Sequence, residues 1–212
     1  MKAKLICFDF DDTLTTVNSW HILNTALGIT ATEDAKMYHD YKVGTLSYLD
    51  RIDKISARYR EHGLATKEVI ENVLHNIALR PDAQYVIETL QQRGYIIAII
   101  SGSFATGVVY HAHRLGVTHV FAGTRLHYDS EGNFVELTSE GDESDRKVKR
   151  LSELCVKYNC AVINCAYVGN SANDIPVFRV VGQSICFTHS TDYIKAAAKT
   201  TIESLSDLLK LF

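Results

Sequence analysis

The most constraining feature of this chain is a short apolar run that leads directly into a cluster of aspartates. Leu5 to Phe8 are apolar without interruption, a pattern typical of a strand buried on both faces of a parallel sheet. Asp9 and Asp11 follow at alternate positions, so both carboxylates are predicted to project to one side at the carboxyl end of that strand. Two like charges this close need a cation or a shared proton, and a bound Mg²⁺ is the simplest compensation.

Length and composition limit the class of protein. With 212 residues, of which 46% are hydrophobic and 22% charged, the chain can form one large core with or without a small accessory domain. A net charge of −3 and the lack of a large basic run argue against nucleic acid as a partner. No apolar run is long enough to span a membrane, and Met1 to Lys4 lead into a strand rather than a leader peptide. We therefore expect a cytoplasmic protein with no membrane partner.

The five cysteines indicate free thiols. They are odd in number, contain no C-x-x-C pair and mostly have apolar neighbours. Cys155, Cys160 and Cys165 are evenly spaced, but steps of five residues do not match the usual spacing of zinc ligands. The sequence therefore favours buried free thiols over a zinc site.

The hydrophobic pattern divides the chain into two parts. Residues 15–79 have helical spacing, with Ser47 and Thr66 as expected N-caps, and predict an insert of three or four helices. The remaining sequence alternates between strands and helices, which is typical of a doubly wound parallel α/β sheet. We therefore expect an α/β core of residues 1–14 and 80–212, with a helical cap at 15–79 inserted after the first strand.

Further elements are predicted within the core. Strands are expected at residues 95–100, 161–168 and 184–187, a β-hairpin at 125–137, and helices at 106–115 and from Ser144 or Asp145 onward. The small polar segment Ser101 to Phe104 is predicted as a loop between a strand and a helix. Lys147 is expected in the first turn of its helix.

Four polar segments are expected at the carboxyl ends of strands, where open α/β sheets bind ligands. They contain Asp9 and Asp11, Ser101 with Gly102, Lys147, and residues 170–174. Together they supply a carboxylate pair, a hydroxyl beside free backbone N–H groups, a cation and a second acidic group. Phosphoryl transfer needs this inventory, because its rate depends on a positioned nucleophile and on neutralising the phosphate charge.

The same residues carry a family resemblance. The segment Asp9-Phe10-Asp11-Asp12-Thr13 matches the D-x-D-x-T signature of the haloacid dehalogenase superfamily, and the chain resembles its phosphoserine-phosphatase-like branch. Ser101 fits the second motif of that branch, Lys147 the third and Gly169-x-x-x-Asn173-Asp174 the fourth. The match covers essentially the whole chain, including a helical cap between the first and second motifs.

The resemblance implies a role for each motif residue. Asp9 would be the nucleophile that forms an aspartyl-phosphate, and Asp11 would be the general acid and base. The residues implied to bind the substrate are Thr13, Ser101, Gly102, Lys147 and Asn173. Mg²⁺ would be held by Asp9, by Asp11 through its carbonyl oxygen, by Asn170, and by Asp174 through a water molecule.

Two departures from the branch affect the metal and the substrate. Asn170 stands where the branch usually has a metal-binding aspartate, so weaker Mg²⁺ affinity is expected. In the cap, Asn18 and Ile55 occupy the positions that hold the substrate amine and carboxylate in phosphoserine phosphatase. We therefore expect a small phosphorylated metabolite other than phosphoserine as the preferred substrate, unless a one-turn shift of the alignment gives the second role to Arg51 or Arg58.

The expected function is Mg²⁺-dependent hydrolysis of a small phosphate monoester. The sequence leaves two alternatives open: a phosphotransferase that passes the phosphoryl group to another alcohol, and a pseudoenzyme that binds a phosphorylated ligand without turnover. A response-regulator receiver domain also combines paired aspartates with a lysine. The helical insert and the order of the D-x-D-x-T segment argue against that class.

Overall fold

The structure is a computed structural model that describes residues 5–141 and 143–212. Residues 1–4, on which the expectation about a leader peptide rests, lie outside the described residues. The strands are β1 (Leu5–Phe8), β2 (Ile96–Phe104), β3 (His119–Tyr128), β4 (Phe134–Ser139), β5 (Cys165–Val168), β6 (Gln183–Phe187) and β7 (Thr200–Ile202).

After the first strand and its insert, helices alternate with the strands, except that β3 leads directly into β4. The helices are α1 (Ser19–Ala26), α2 (Ala31–Lys42), α3 (Tyr48–His62), α4 (Lys67–His75), α5 (Ala83–Gln92), α6 (Ala105–Arg114), α7 (Glu143–Lys157), α8 (Ile175–Val180), α9 (Asp192–Ala197) and α10 (Leu208–Leu211). In the described part of the chain, none of them combines the length and the apolar character that a membrane span requires.

The strands form a seven-stranded sheet with β1 at its centre, in the order β4-β3-β2-β1-β5-β6-β7. All neighbouring strands are parallel except β3 and β4, which form the predicted antiparallel hairpin at one edge. Every side chain of β1 is fully buried. A parallel strand covered on both faces needs an uninterrupted apolar run, as the sequence predicted for this segment.

Helices cover both faces of the sheet. Ile6 and Phe8 of β1 pack with residues of α5, α6 and α10 on one face, whereas Leu5 and Cys7 pack with α7, α8 and α9 on the other. This alternation follows from the two-residue period of a strand. The predicted doubly wound α/β fold is confirmed.

Between β1 and α5 the chain forms the helices α1 to α4, with Ser47 and Thr66 as N-caps of α3 and α4. Their apolar faces form a separate core that includes Ile55 and Tyr59 and extends to Phe134 and Leu137 of β4. The chain enters and leaves this helical part side by side, because Thr15 and Leu79 form an antiparallel bridge. The division into a core and a cap at 15–79 remains our proposal.

Several boundaries differ from the sequence prediction. Residues 101–104 are not a loop but the end of β2, because Ser101 pairs with Ala122 and Phe104 with Thr124 across a register shift. In the predicted strand at 161–168, residues 162–164 form a 3₁₀ turn, and only the last four residues form β5, of which all four pair with β1 and the last three with β6. Helix α7 begins at Glu143, earlier than expected, so Lys147 lies in its second turn. The short edge strand β7 was not predicted.

Candidate active site

A cavity of about 430 Å³ opens at the carboxyl end of β1, between the sheet and the inserted helices. Among its lining residues are Asp9, Asp11, Ser101, Gly102, Asn170 and Asn173 from the sheet side, and Trp20, Tyr38, Tyr48 and Arg51 from the inserted helices. Three further predicted site residues, Thr13, Lys147 and Asp174, do not line this cavity. They lie behind its wall and contact residues that do.

Asp9 is held at the end of β1 by a buried lysine. Lys147 Nζ lies 3.0 Å from Asp9 Oδ2 and 2.6 Å from Asp174 Oδ1, and its side chain is only 2% exposed. Burial is the main cause that raises the pKa of Asp9 to about 7, while the Lys147 ammonium acts in the opposite direction. Two buried carboxylates therefore share one ammonium. Lys149, two residues further along the same helix, is exposed, so Lys147 is the lysine that reaches Asp9.

Asp11 is held by the first residue of the first inserted helix. The Ser19 backbone N–H and hydroxyl donate to the two Asp11 oxygens over 2.9 and 2.8 Å. Burial raises the pKa of Asp11 to about 7, although the hydrogen bonds from Ser19 lower it. Near neutral pH this carboxyl group can both give and accept a proton. Ser19 was missed in the sequence because the start of α1 over Asp11 is a tertiary feature with no local pattern.

Thr13 contacts Asn170 rather than the cavity. Its side chain is fully buried, and its hydroxyl donates to the Asn170 side-chain oxygen over 3.1 Å. This contact lets Thr13 position Asn170, and its role in substrate binding stays a prediction. Asn170 does line the cavity, with its amide at the end of β5 beside the loop that follows β1.

Asp174 is a positioning residue in this structure. Its two oxygens accept hydrogen bonds from Lys147, from the Tyr167 hydroxyl, and from the backbone N–H groups of Asn170 and Ser171. The carboxylate is fully buried, and these hydrogen bonds occupy the lone pairs of its two oxygens. It holds Lys147 and shapes the loop that carries Asn170, and its expected contact with the metal through a water molecule stays a prediction.

The expected phosphate-binding residues surround a carboxylate that the sequence analysis did not single out. A Cβ atom at Gly102 would lie 1.4 Å from Glu143 Oε1, so a larger residue at this position would force the Glu143 side chain to move. The same Glu143 carboxylate accepts a hydrogen bond from the Asn173 side-chain amide. Ser101 lies beside it with its hydroxyl accepting from the Ser103 N–H. The spacing of four residues between Glu143 and Lys147 on one helix was the available signal.

The donors at the end of β1 fit a hard divalent cation. The Asp9 carboxylate, the Asn170 amide oxygen and the Asp11 backbone carbonyl are oxygen ligands of the kind that Mg²⁺ prefers. Around them Asp9, Asp11, Asp12 and Glu143 line the cavity, and the ammonium of Lys147 is shared with Asp174. A bound cation would balance this excess of acidic groups.

Arg51 brings a positive charge to the opposite side of the cavity. Its guanidinium lies 5.2 Å from the Trp20 ring centre and 5.7 Å from that of Tyr38, and 3.7 Å separate its Nη2 from Asp34 Oδ1. The residue is 6% exposed, and its Nε has no hydrogen-bond partner among the described residues. By contrast, Arg58 pairs with Glu33 and Glu61 outside the cavity.

Asn18 and Ile55, the two positions compared with the substrate-binding residues of phosphoserine phosphatase, make other contacts. Ile55 is fully buried in the core of the inserted helices and does not line the cavity. Asn18 lines the cavity, but its side-chain oxygen caps α1 by accepting from the backbone N–H groups of Trp20 and His21. Arg51 is therefore the arginine of the inserted helices that reaches the site.

Comparisons with known proteins agree with this geometry. Residues 3–182 match the family model for haloacid dehalogenase-like hydrolases. The chain is 28% identical to the phosphoserine phosphatase of Methanocaldococcus jannaschii, over 99% of this chain and 97% of that protein. It is 26% identical to the phosphoserine phosphatase of Albidiferax ferrireducens, over 99% of this chain and 89% of that protein.

Solved structures give the same result. A substrate-bound phosphoserine phosphatase complex superposes with a TM-score of 0.83 at 26% identity, over 100% of this chain and 99% of that chain. A phospho-aspartyl intermediate analogue of phosphoserine phosphatase superposes with a TM-score of 0.80 at 27% identity, with both chains fully covered. The chain therefore belongs to the haloacid dehalogenase-like hydrolases and is a phosphoric monoester hydrolase.

Proposed function

We propose that this protein hydrolyses a small phosphate monoester through an aspartyl-phosphate on Asp9, with Mg²⁺ as its cofactor. The observation that carries the proposal is that Asp9 and Asp11 line one cavity while Lys147 lies against Asp9 from behind the cavity wall. A nucleophile, a fixed cation and a proton-exchanging group meet there. Because all three are present, catalysis is favoured over binding without turnover.

In the proposed reaction a carboxylate oxygen of Asp9 attacks phosphorus while the bond to the leaving oxygen breaks. Asp11 gives its proton to that oxygen and, as a carboxylate, then takes a proton from the water that attacks the aspartyl-phosphate. Inorganic phosphate leaves and Asp9 is regenerated. Lys147 holds Asp9 in place throughout. Mg²⁺, when bound by Asp9, Asn170 and the Asp11 carbonyl, neutralises the phosphate charge.

The pKa of Asp11 predicts how the rate depends on pH. Burial raises that pKa to about 7, and the leaving oxygen needs the protonated form, so the rate of phosphoenzyme formation should fall as pH rises above about 7. The fall should be steep for an alkyl phosphate and shallow for 4-nitrophenyl phosphate, whose leaving group needs little protonation. Single-turnover rates of both esters at several pH values test this. Parallel profiles would contradict the assignment of Asp11 as the acid.

Arg51 supports a substrate with a second anionic group. A buried guanidinium with a free N–H beside the cavity is suited to a carboxylate, with Trp20 and Tyr38 packed against it. An amine finds less support, because Asp34 already accepts from Asn24 over 2.8 Å and lies 3.3 Å from His21 Nδ1. Within the proposed function, phosphate esters of hydroxy acids are therefore favoured over phosphoserine.

A matched pair of esters tests this preference. 3-Phosphoglycerate carries a hydroxyl group where phosphoserine carries its amine, so the two differ at one position. We expect kcat/KM to be higher for 3-phosphoglycerate or another phosphorylated hydroxy acid than for phosphoserine. Phosphoserine is the substrate in the names of the related phosphatases. A higher kcat/KM for phosphoserine than for the phosphorylated hydroxy acids would contradict the proposed preference but not the proposed phosphatase activity.

Removing the cap arginine should affect only substrates with a carboxylate. Arg51→Met is expected to raise KM for 3-phosphoglycerate by roughly 10- to 100-fold, the usual loss for a hydrogen bond to a charged group. It should change the hydrolysis of 4-nitrophenyl phosphate by less than about 3-fold. Arg58→Met, in the same helix but outside the cavity, is the matched control and should leave both substrates unaffected.

Restoring an acid at position 170 should tighten the metal site. Asn170→Asp adds a negative charge among the proposed Mg²⁺ ligands, so the Mg²⁺ concentration for half-maximal activity should fall by roughly 10-fold. Two Mg²⁺ titrations measure the change, one that follows activity and one that follows binding by calorimetry. If both titrations stay as in the unmodified protein, residue 170 is not a metal ligand.

A further inference from the structure

Three cysteine thiols converge at the amino end of β5, away from the cavity. Cys155 lies in α7, Cys160 follows the helix, and Cys165 is the first residue of β5. Cys165 Sγ lies 3.4 Å from Cys155 Sγ and 3.9 Å from Cys160 Sγ. All three sulfur atoms lie within 4.8 Å of one another, and all three cysteines are free.

The chain reverses direction twice to bring these thiols together. Asn159 adopts a left-handed conformation with φ of 47°, and the Cys160 N–H then donates to the Cys155 carbonyl over 3.0 Å. The 3₁₀ turn at residues 162–164 leads back into β5. Steps of five residues do not match a linear zinc motif, but these reversals give the three sulfurs a common centre.

We propose that Cys155, Cys160 and Cys165 form a binding site for a thiophilic divalent cation such as Zn²⁺. A tetrahedral zinc ion with Zn–S bonds of about 2.3 Å requires sulfurs about 3.8 Å apart. The separations of 3.4 and 3.9 Å lie on either side of that value. Cys155 and Cys165 are buried, whereas Cys160 is half-buried and gives the ion and a water ligand a route from solvent.

The ligand chemistry separates this site from the proposed Mg²⁺ site. Sulfur ligands select soft or borderline metals, whereas Mg²⁺ requires oxygen. Binding of Zn²⁺ would release the three thiol protons and leave a complex of net charge −1. The ion would tie α7, which carries Lys147, to β5, which leads into Asn170. Because the ligands meet only in the folded chain, binding should raise stability.

Co²⁺ and Zn²⁺ added to the reduced full-length protein test the site. One equivalent of Co²⁺ should give a sulfur-to-metal charge-transfer band that Zn²⁺ removes and excess Mg²⁺ does not. Zn²⁺ should also raise the melting temperature. Cys160→Ser should weaken Co²⁺ binding by at least ~100-fold. Cys186→Ala, a buried cysteine on β6 outside the cluster, should bind as the unmodified protein does.

Two results would overturn the proposal. One is the absence of the charge-transfer band in folded, reduced protein. The other is a band that persists unchanged in Cys160→Ser. Cys160 is half-buried, so this variant is expected to fold, and its circular dichroism spectrum confirms that any loss of binding is local. Asp9→Asn should keep the band, which distinguishes the thiol site from the carboxylates of the cavity.

Discussion

Asp9→Asn is expected to lower kcat for every phosphate monoester by at least ~10⁴-fold, because the amide cannot attack phosphorus. The fold should survive the change. Asparagine has nearly the shape of aspartate and keeps an oxygen to accept from the Phe10 N–H, and Lys147 remains paired with Asp174 at 2.6 Å. The amide has a single acceptor oxygen and so loses either the Phe10 N–H or the Lys147 contact, but one ammonium then faces one carboxylate instead of two. Because these effects oppose each other, we expect the melting temperature to change little.

Asp12→Asn is the matched control for this loss. Asp12 is the neighbouring acid, lines the same cavity and has a positive φ of 54°, a conformation that asparagine tolerates well. No step of the proposed reaction uses the Asp12 carboxylate, so the kcat of Asp12→Asn should stay within about 3-fold of that of the unmodified protein. Comparable losses in both variants would mean that the acidity of the loop, rather than a nucleophile at Asp9, supports turnover.

Lys147→Met is expected to destabilise the fold as well as to abolish turnover. The substitution leaves Asp9 and Asp174 buried without their shared cation, and breaking a buried ion pair from one side costs about 3–5 kcal/mol. In a chain of this length that loss lowers the melting temperature by roughly 10 °C. Part of the stability should recover at acidic pH, because without the ammonium the pKa of Asp9 rises further and its carboxyl group then binds a proton.

Two further variants isolate the cause. Lys149→Met removes an exposed lysine of the same helix and should change the free energy of unfolding by less than about 0.5 kcal/mol. Lys147→Met combined with Asp174→Asn removes one of the two stranded charges and should recover part of the lost stability. If Lys147→Met leaves the free energy of unfolding at neutral pH unchanged, the ammonium does not stabilise the two carboxylates.

Much of the site was predictable because it lies at strand ends. The apolar run before Asp9 predicts the central strand, and the rule that ligands bind at the carboxyl ends of parallel strands brings Ser101 and Asn170 to the same edge. Lys147 was predicted from its fit to the third motif, and the structure places it against Asp9.

The contacts that the sequence missed depend on tertiary packing. Ser19 reaches Asp11 only because α1 starts over the loop that follows β1. Arg51 enters the cavity because α3 buries Ile55 in the core of the inserted helices and turns Arg51 toward Trp20. Thr13 and Asp174 belong to the sequence motifs, but the Thr13 hydroxyl contacts Asn170 and the Asp174 carboxylate contacts Lys147. The spacing of residues in the sequence does not predict these contacts.

Reductive trapping during turnover tests the covalent step on Asp9 most directly. Borohydride reduces an acyl phosphate to the alcohol, so an aspartyl-phosphate becomes homoserine and can be located by peptide mass spectrometry. With Mg²⁺ and a fast aryl phosphate, we expect homoserine at position 9, none at positions 11 and 12, and no product in Asp9→Asn. Sustained phosphate release with position 9 unmodified would contradict the aspartyl-phosphate and would require direct attack by water.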